Sequence, residues 1–95
     1  MQVYDYAYMQ RQNIDLIIVP VNSAFESRSS EEQHKVRERL ESLATAHGMS
    51  GVVVPVWRGY SGRMKFLAPL SIQPVLRQIE WSQVAKSLSG KLALS

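Results

Sequence analysis

Two short apolar runs flank an amphipathic stretch near the middle of the chain. The runs are IDLIIVPV (14–21) and GVVVPVW (51–57), and both are apolar at consecutive positions, which is typical of strands that are covered on both faces. The apolar residues between them recur at the spacing of one helix face: Val36, Leu40, Leu43 and Ala44. The pattern predicts a strand, a helix and a second strand, with the two strands parallel in one sheet.

The limits of the central helix are also marked in the sequence. Ser29 with Glu32, and equally Ser30 with Gln33, has the spacing of a capping box, in which each side chain satisfies a free backbone donor of the first turn. Gly48 is placed where a helix ends in a left-handed residue. We therefore expect the helix to begin at one of these serines and to end at Gly48.

A hairpin is predicted after the second run. Gly59 and Gly62 provide the backbone freedom that a tight connection needs. The residues RMKF (63–66) that follow alternate between polar and apolar, which indicates a third, antiparallel strand with one solvated face.

The two ends of the chain are predicted to be helical. Tyr4, Tyr6 and Tyr8 alternate as on a strand, but the composition of the first twelve residues favours a helix that Asn13 ends. A short helix is expected from Pro74. A C-terminal helix is expected from apolar residues at i, i+3, i+4, i+7 and i+11: Trp81, Val84, Ala85, Leu88 and Leu92.

These elements predict an α/β fold with the order α-β-α-β-β-α. Its sheet would be mixed and three-stranded, a parallel βαβ unit plus an antiparallel hairpin, packed with helices. The chain has 95 residues, of which 45% are hydrophobic and 20% charged, enough for one modest core. We therefore expect residues 1–95 to form a single small domain.

Composition excludes several classes of protein. There is no cysteine, which rules out disulfides, thiolate metal sites and cysteine catalysis. The longest apolar runs have six residues, far short of the roughly 20 that span a bilayer. Because no basic segment followed by an apolar run opens the chain, no secretory signal is predicted. We expect a cytoplasmic protein with no membrane partner.

Catalytic and metal-binding patterns are missing from the sequence. It contains no phosphate-binding loop, dinucleotide fingerprint or zinc-protease motif. His34 and His47 lie thirteen residues apart, so they do not share a helix face at i, i+4 spacing. We predict no catalytic residue, no metal and no cofactor, and a binding protein rather than an enzyme.

Charge is distributed unevenly around the predicted hairpin. The net charge is +3, but the segment 42–79 contains no acidic residue and four cations. The hairpin, residues 57–65, interleaves cations with aromatic residues, which suits nucleic acids and other polyanions. Its proposed contacts are Arg58, Tyr60, Arg63 and Lys65. The alternative is that these charges only protect an edge strand from pairing with another chain.

A second candidate site follows from the predicted topology. Ligands of open α/β sheets bind beyond the carboxyl ends of the strands. Asn22 and Ser23 follow the first run, and Arg58 and Tyr60 follow the second. If the strands are neighbours, these four residues converge on a site for a small anionic ligand.

Aromatic residues give the leading hypothesis. Tyr4, Tyr6, Tyr8 and Trp81 are large apolar groups with polar atoms, a kind of residue enriched in interfaces. A small domain with an open sheet edge can extend or cover that edge by dimerisation. The sequence therefore predicts a homodimer or a protein-interaction module, with polyanion binding as the alternative.

Overall fold

One five-stranded mixed sheet organises the chain, of which the computed structural model describes residues 3–59 and 61–93. The strand order across the sheet is β4-β3-β2-β1-β5. In chain order the strands are β1 Val3–Arg11, β2 Ile14–Pro20, β3 Val52–Arg58, β4 Met64–Phe66 and β5 Leu88–Ala93. β2 and β3 are parallel, and the other three pairs of neighbours are antiparallel.

Helices cover both faces of this sheet. They are α1 Ser30–Ala46, α2 Gln73–Leu76 and α3 Trp81–Lys86, with short 3₁₀ helices at Ser23–Ser27 and Leu70–Ile72. α1 packs on one face against Ile17, Val19 and Val53. α2 and α3 pack on the other face, where the apolar layer includes Leu16 and Val54. The predicted α/β class, mixed sheet and parallel βαβ unit are confirmed.

The central strands explain why the two apolar runs lack alternation. Leu16, Ile17, Ile18 and Val19 are all fully buried, because successive side chains enter opposite helix layers. Each layer therefore has its own apolar cluster, and the sheet separates them. A side chain's position along a strand decides which of the two layers it faces.

The predicted start of α1 is confirmed. The Ser29 hydroxyl oxygen accepts a hydrogen bond from the Glu32 backbone N–H at 3.2 Å, which is the contact of an N-terminal cap. At the other end, Gly48 has φ of 75°, a left-handed conformation that glycine adopts without strain. Local capping signals thus fix both limits of this helix.

The predicted N-terminal helix is wrong, because this segment is strand β1. Gln12 and Asn13 have φ of 51° and 64°, so they form a two-residue left-handed turn that pairs Arg11 with Ile14. Asn13 therefore turns a hairpin rather than ending a helix. Pairing with the buried strand β2 overrides the helix propensity of the first twelve residues.

The predicted C-terminal helix is correct only at its beginning. α3 ends at Lys86, and β5 then pairs with β1 at the edge of the sheet. Gly90 lies opposite Tyr6, and a Cβ atom at Gly90 would come within 2.8 Å of the Tyr6 hydroxyl oxygen. The glycine thus leaves room for the aromatic ring of its partner strand. With β1 and β5 added, the sheet has five strands and not the predicted three.

Candidate functional site

A cavity lies between the β3–β4 hairpin and the segment that joins α2 to α3. Its volume is about 730 Å³. It is lined by Arg58, Gly62, Arg63, Met64, Phe66, Leu76, Arg77, Ile79, Glu80, Trp81 and Ser82. We call it the arginine cavity, because three arginines from separate elements surround it.

The alternation of side chains along β3 and the geometry of the hairpin loop position these arginines. Arg58, the last residue of β3, pairs with Met64, so both face the layer of α2 and α3. Arg63 ends the hairpin loop, where its carbonyl oxygen accepts a hydrogen bond from the Gly59 N–H at 2.9 Å. Arg77 follows the last residue of α2. The hairpin thus contributes two of the cations and the end of α2 the third, and all three line one cavity.

The arginines of the cavity form no ion pair with any described residue. The ion pairs formed by residues 3–59 and 61–93 are Lys35 with Glu31, Arg37 with Glu41, Lys65 with Glu26, and Lys91 with Asp5. Arg58, Arg63 and Arg77 belong to none of these pairs, and all three side chains are exposed. With three arginines and one acid, Glu80, the lining has a formal charge of 3 − 1 = +2.

Aromatic and aliphatic groups form the floor of the same cavity. Phe66 and Trp81 are half-buried, whereas Leu76 and Ile79 belong to the buried core. The cavity therefore combines a cationic rim with aromatic surface. This combination suits a ligand that has both negative charge and a planar or apolar part.

A second cavity of about 370 Å³ adjoins the carboxyl ends of β2 and β3. Its lining includes Asn22, Ser23 and Arg58, so the structure brings together three of the four residues that we expected to converge there. The Asn22 side-chain oxygen Oδ1 accepts a hydrogen bond from the Ala24 backbone N–H at 2.8 Å. We call this space the strand-end cavity. Arg58 lines both cavities.

The structure separates Lys65 from the other cations of the hairpin. Lys65 pairs with Trp57 across the strands. Because successive side chains of a strand point to opposite faces of the sheet, Lys65 lies on the face opposite Arg58. There its ammonium group forms an ion pair with Glu26, so its charge is already compensated. Tyr60, the remaining residue of the predicted hairpin contacts, lies outside the described residues.

Trp57 is a core residue, as its position at the end of a buried run predicts. It is 6% exposed, and its ring packs edge-to-face on Phe25 with a centroid distance of 4.8 Å. This contact anchors the 3₁₀ helix Ser23–Ser27 on the sheet, and with it the wall of the strand-end cavity.

The four aromatic residues predicted to form an interface lie on two faces of the sheet. Tyr4 and Tyr6 are half-buried and pack against the apolar layer under α1, whereas Trp81 packs against the opposite layer. Tyr8 is 43% exposed. Desolvation raises the pKa of Tyr8 above its ordinary value, as do the charge of the Asp15 carboxylate and a hydrogen bond with it. The four residues therefore do not form one continuous surface.

Sequence reasoning missed the part of the site that comes from α2 and α3. The sequence shows Arg77 only as one of the four cations of residues 42–79, and it predicts an interface role for Trp81 rather than a place in a cavity beside the arginines. The absence of acids from residues 42–79 was the available signal. This signal indicated a cationic surface, but it did not show which of the cations line the same cavity.

Within residues 3–59 and 61–93, no group of three or more His, Asp or Glu residues is arranged to hold a metal ion. No helix of that part of the chain is long and apolar enough to cross a membrane. No protein-family model matches the chain, and neither a curated protein nor a solved structure does.

Proposed function

We propose that the protein binds a phosphate-bearing ligand in the arginine cavity, in a non-catalytic and cytoplasmic role. The observation that carries this proposal is the convergence of Arg58, Arg63 and Arg77, which have no acidic partner among the described residues, on one cavity with an aromatic floor. Guanidinium groups bind phosphate oxygens through paired hydrogen bonds. A phosphate between them would also relieve their mutual repulsion.

Protection of a sheet edge does not account for these charges. Edge protection places lysine or arginine on the outermost strand, which here is β4, Met64–Phe66. Arg58 lies on the neighbouring strand, Arg63 in a loop and Arg77 after a helix. The cations that surround the cavity are therefore not on the edge strand. Binding explains their placement better.

Titration calorimetry with tripolyphosphate at low salt tests this proposal. We expect Arg77→Ala to weaken binding about ten-fold, because a hydrogen bond to a charged group contributes about 1.5–3 kcal/mol. Arg39→Ala removes the same charge from an exposed position on α1, across the sheet, and should change the affinity less than two-fold. Equal losses in both variants, or no binding by the wild type, would contradict a local site.

Self-association at the edge strand β5 is the second candidate function. β5 has six residues at one border of the sheet, and Leu88 within it is 45% exposed. Unpaired edges of this kind accept a strand from a second copy. Sedimentation equilibrium should then give a dimer that Leu88→Lys converts to a monomer. A wild-type monomer at high concentration would exclude this candidate.

A further inference from the structure

We infer that the ligand of the arginine cavity is single-stranded nucleic acid that continues into the strand-end cavity. This inference rests on the proposed phosphate binding and specifies its ligand. Arg58 lines both cavities, so they meet at the carboxyl end of β3. Together the two volumes exceed the roughly 1,000 Å³ upper bound of pockets for single small ligands. A longer polyanion fits this space better.

The charges along this path favour a chain of phosphates. The arginine cavity has a net formal charge of +2 in its lining. In the strand-end cavity the acid is Glu26, and Lys65 neutralises it through an ion pair. Apart from Arg58, the other residues of that lining are uncharged, and Asn22, Ser23 and Ser27 among them have polar side chains. No uncompensated acid of the described residues lines the strand-end cavity.

The aromatic floor favours a ligand with bases over a simple polyphosphate. Trp81 and Phe66 line the same cavity as the arginines, and neither is fully buried. Single-strand binding proteins combine a cationic groove with aromatic rings on which unpaired bases stack. Each such base strengthens binding by roughly 5- to 150-fold, as judged from removal of the aromatic ring.

The fold favours a single strand over a duplex. Readers of the duplex major groove present a long helix or a free two-stranded ribbon on the binding surface, whereas the β3–β4 hairpin is part of the five-stranded sheet. α1 has 17 residues, and no other helix of the described chain exceeds six. α1 packs on the face opposite the arginine cavity. Stacking on Trp81 also requires bases that are not paired.

Fluorescence anisotropy with labelled decamers tests this inference. The probes are oligothymidylate, oligouridylate, a duplex decamer and an abasic decamer with the same number of phosphates, and tripolyphosphate is measured in parallel. We expect the single strands to bind at least five-fold tighter than the abasic decamer and the duplex. Their affinity should fall with salt at a logarithmic slope of about −2, since three arginines each release about 0.7 counterions.

Tryptophan fluorescence gives a second readout, because the chain has two tryptophans and Trp57 is buried. Stacking should quench the emission of Trp81 with base-containing probes but not with the abasic decamer. Trp81→Leu should lower single-strand affinity to the abasic level, and if that variant does not fold, the wild-type comparison decides.

The possible failures are distinguishable. Equal affinity for abasic and base-containing decamers, or tighter binding of the duplex, overturns this inference but leaves phosphate binding intact. Failure of every probe, tripolyphosphate included, overturns both proposals.

Discussion

Arg58→Glu is expected to abolish measurable binding of phosphate-bearing ligands, with a loss of affinity of about 100-fold or more. The substitution removes one cation from the arginine cavity and adds one acid, so the formal charge of the lining falls from +2 to 0. A lost hydrogen bond to a charged group and a new repulsion together exceed about 2.7 kcal/mol, which corresponds to 100-fold. Anisotropy or calorimetry at low salt measures the change.

The fold should tolerate this substitution. Arg58 is exposed, and no residue of the described chain forms an ion pair with it. Surface changes of this kind alter stability by less than about 0.5 kcal/mol. The melting temperature therefore serves as the control. A variant that retains its affinity for tripolyphosphate would show that Arg58 is not part of the site.

A second substitution separates charge from position. Glu80→Arg in the Arg58→Glu background returns the lining to +2, but it places the new cation beside α3 rather than between the two cavities. Net charge alone predicts full recovery. Since Arg58 borders both cavities, we expect recovery with tripolyphosphate to exceed recovery with a nucleic-acid decamer.

The sequence predicts correctly those elements that are buried on both faces of the sheet or that begin at a local helix cap. The apolar runs became β2 and β3, and Ser29 caps α1. The chain ends were not predictable in this way, because their conformation depends on partners distant in sequence. β1 is a strand because it pairs with β2, and β5 is one because Gly90 accepts the ring of Tyr6. The alternation of Tyr4, Tyr6 and Tyr8 agrees with β1, but the strand that each segment pairs with is not visible in its own residues.

The sequence predicts that the candidate site is cationic, but it does not predict which residues form it. The acid-free segment 42–79 contains every arginine of the cavity. Which residues line the cavity depends on the face of the sheet that each side chain takes and on helix packing. Arg58 and Lys65 face opposite sides of the sheet, and α2 brings Arg77 to the hairpin. Because the run of β3 is apolar on both faces, the sequence alone does not show that Arg58 and Lys65 lie on opposite faces; the register of β3 with β4 does. Nothing in the sequence placed Arg77 or Trp81 beside them.

A matched pair of core substitutions tests whether the site depends on its own helix layer. Leu76 and Leu40 are both fully buried, Leu76 under the arginine cavity and Leu40 in α1 across the sheet. Each change to alanine should cost about 2–5 kcal/mol of the free energy of unfolding, because it removes buried methyl groups and leaves a cavity. For a domain of this size that lowers the melting temperature by about 4–8 °C per kcal/mol.

The two leucine variants should differ in binding although they resemble each other in stability. Leu76 lines the arginine cavity, so Leu76→Ala alters the support of Arg77 and Trp81 and should weaken tripolyphosphate binding several-fold. Leu40→Ala should leave the affinity of the folded protein unchanged. Both are measured at low temperature, where each variant stays folded, since a global loss of stability lowers the folded fraction and not the intrinsic affinity. Equal weakening in both would place the determinants of binding outside the layer of α2 and α3.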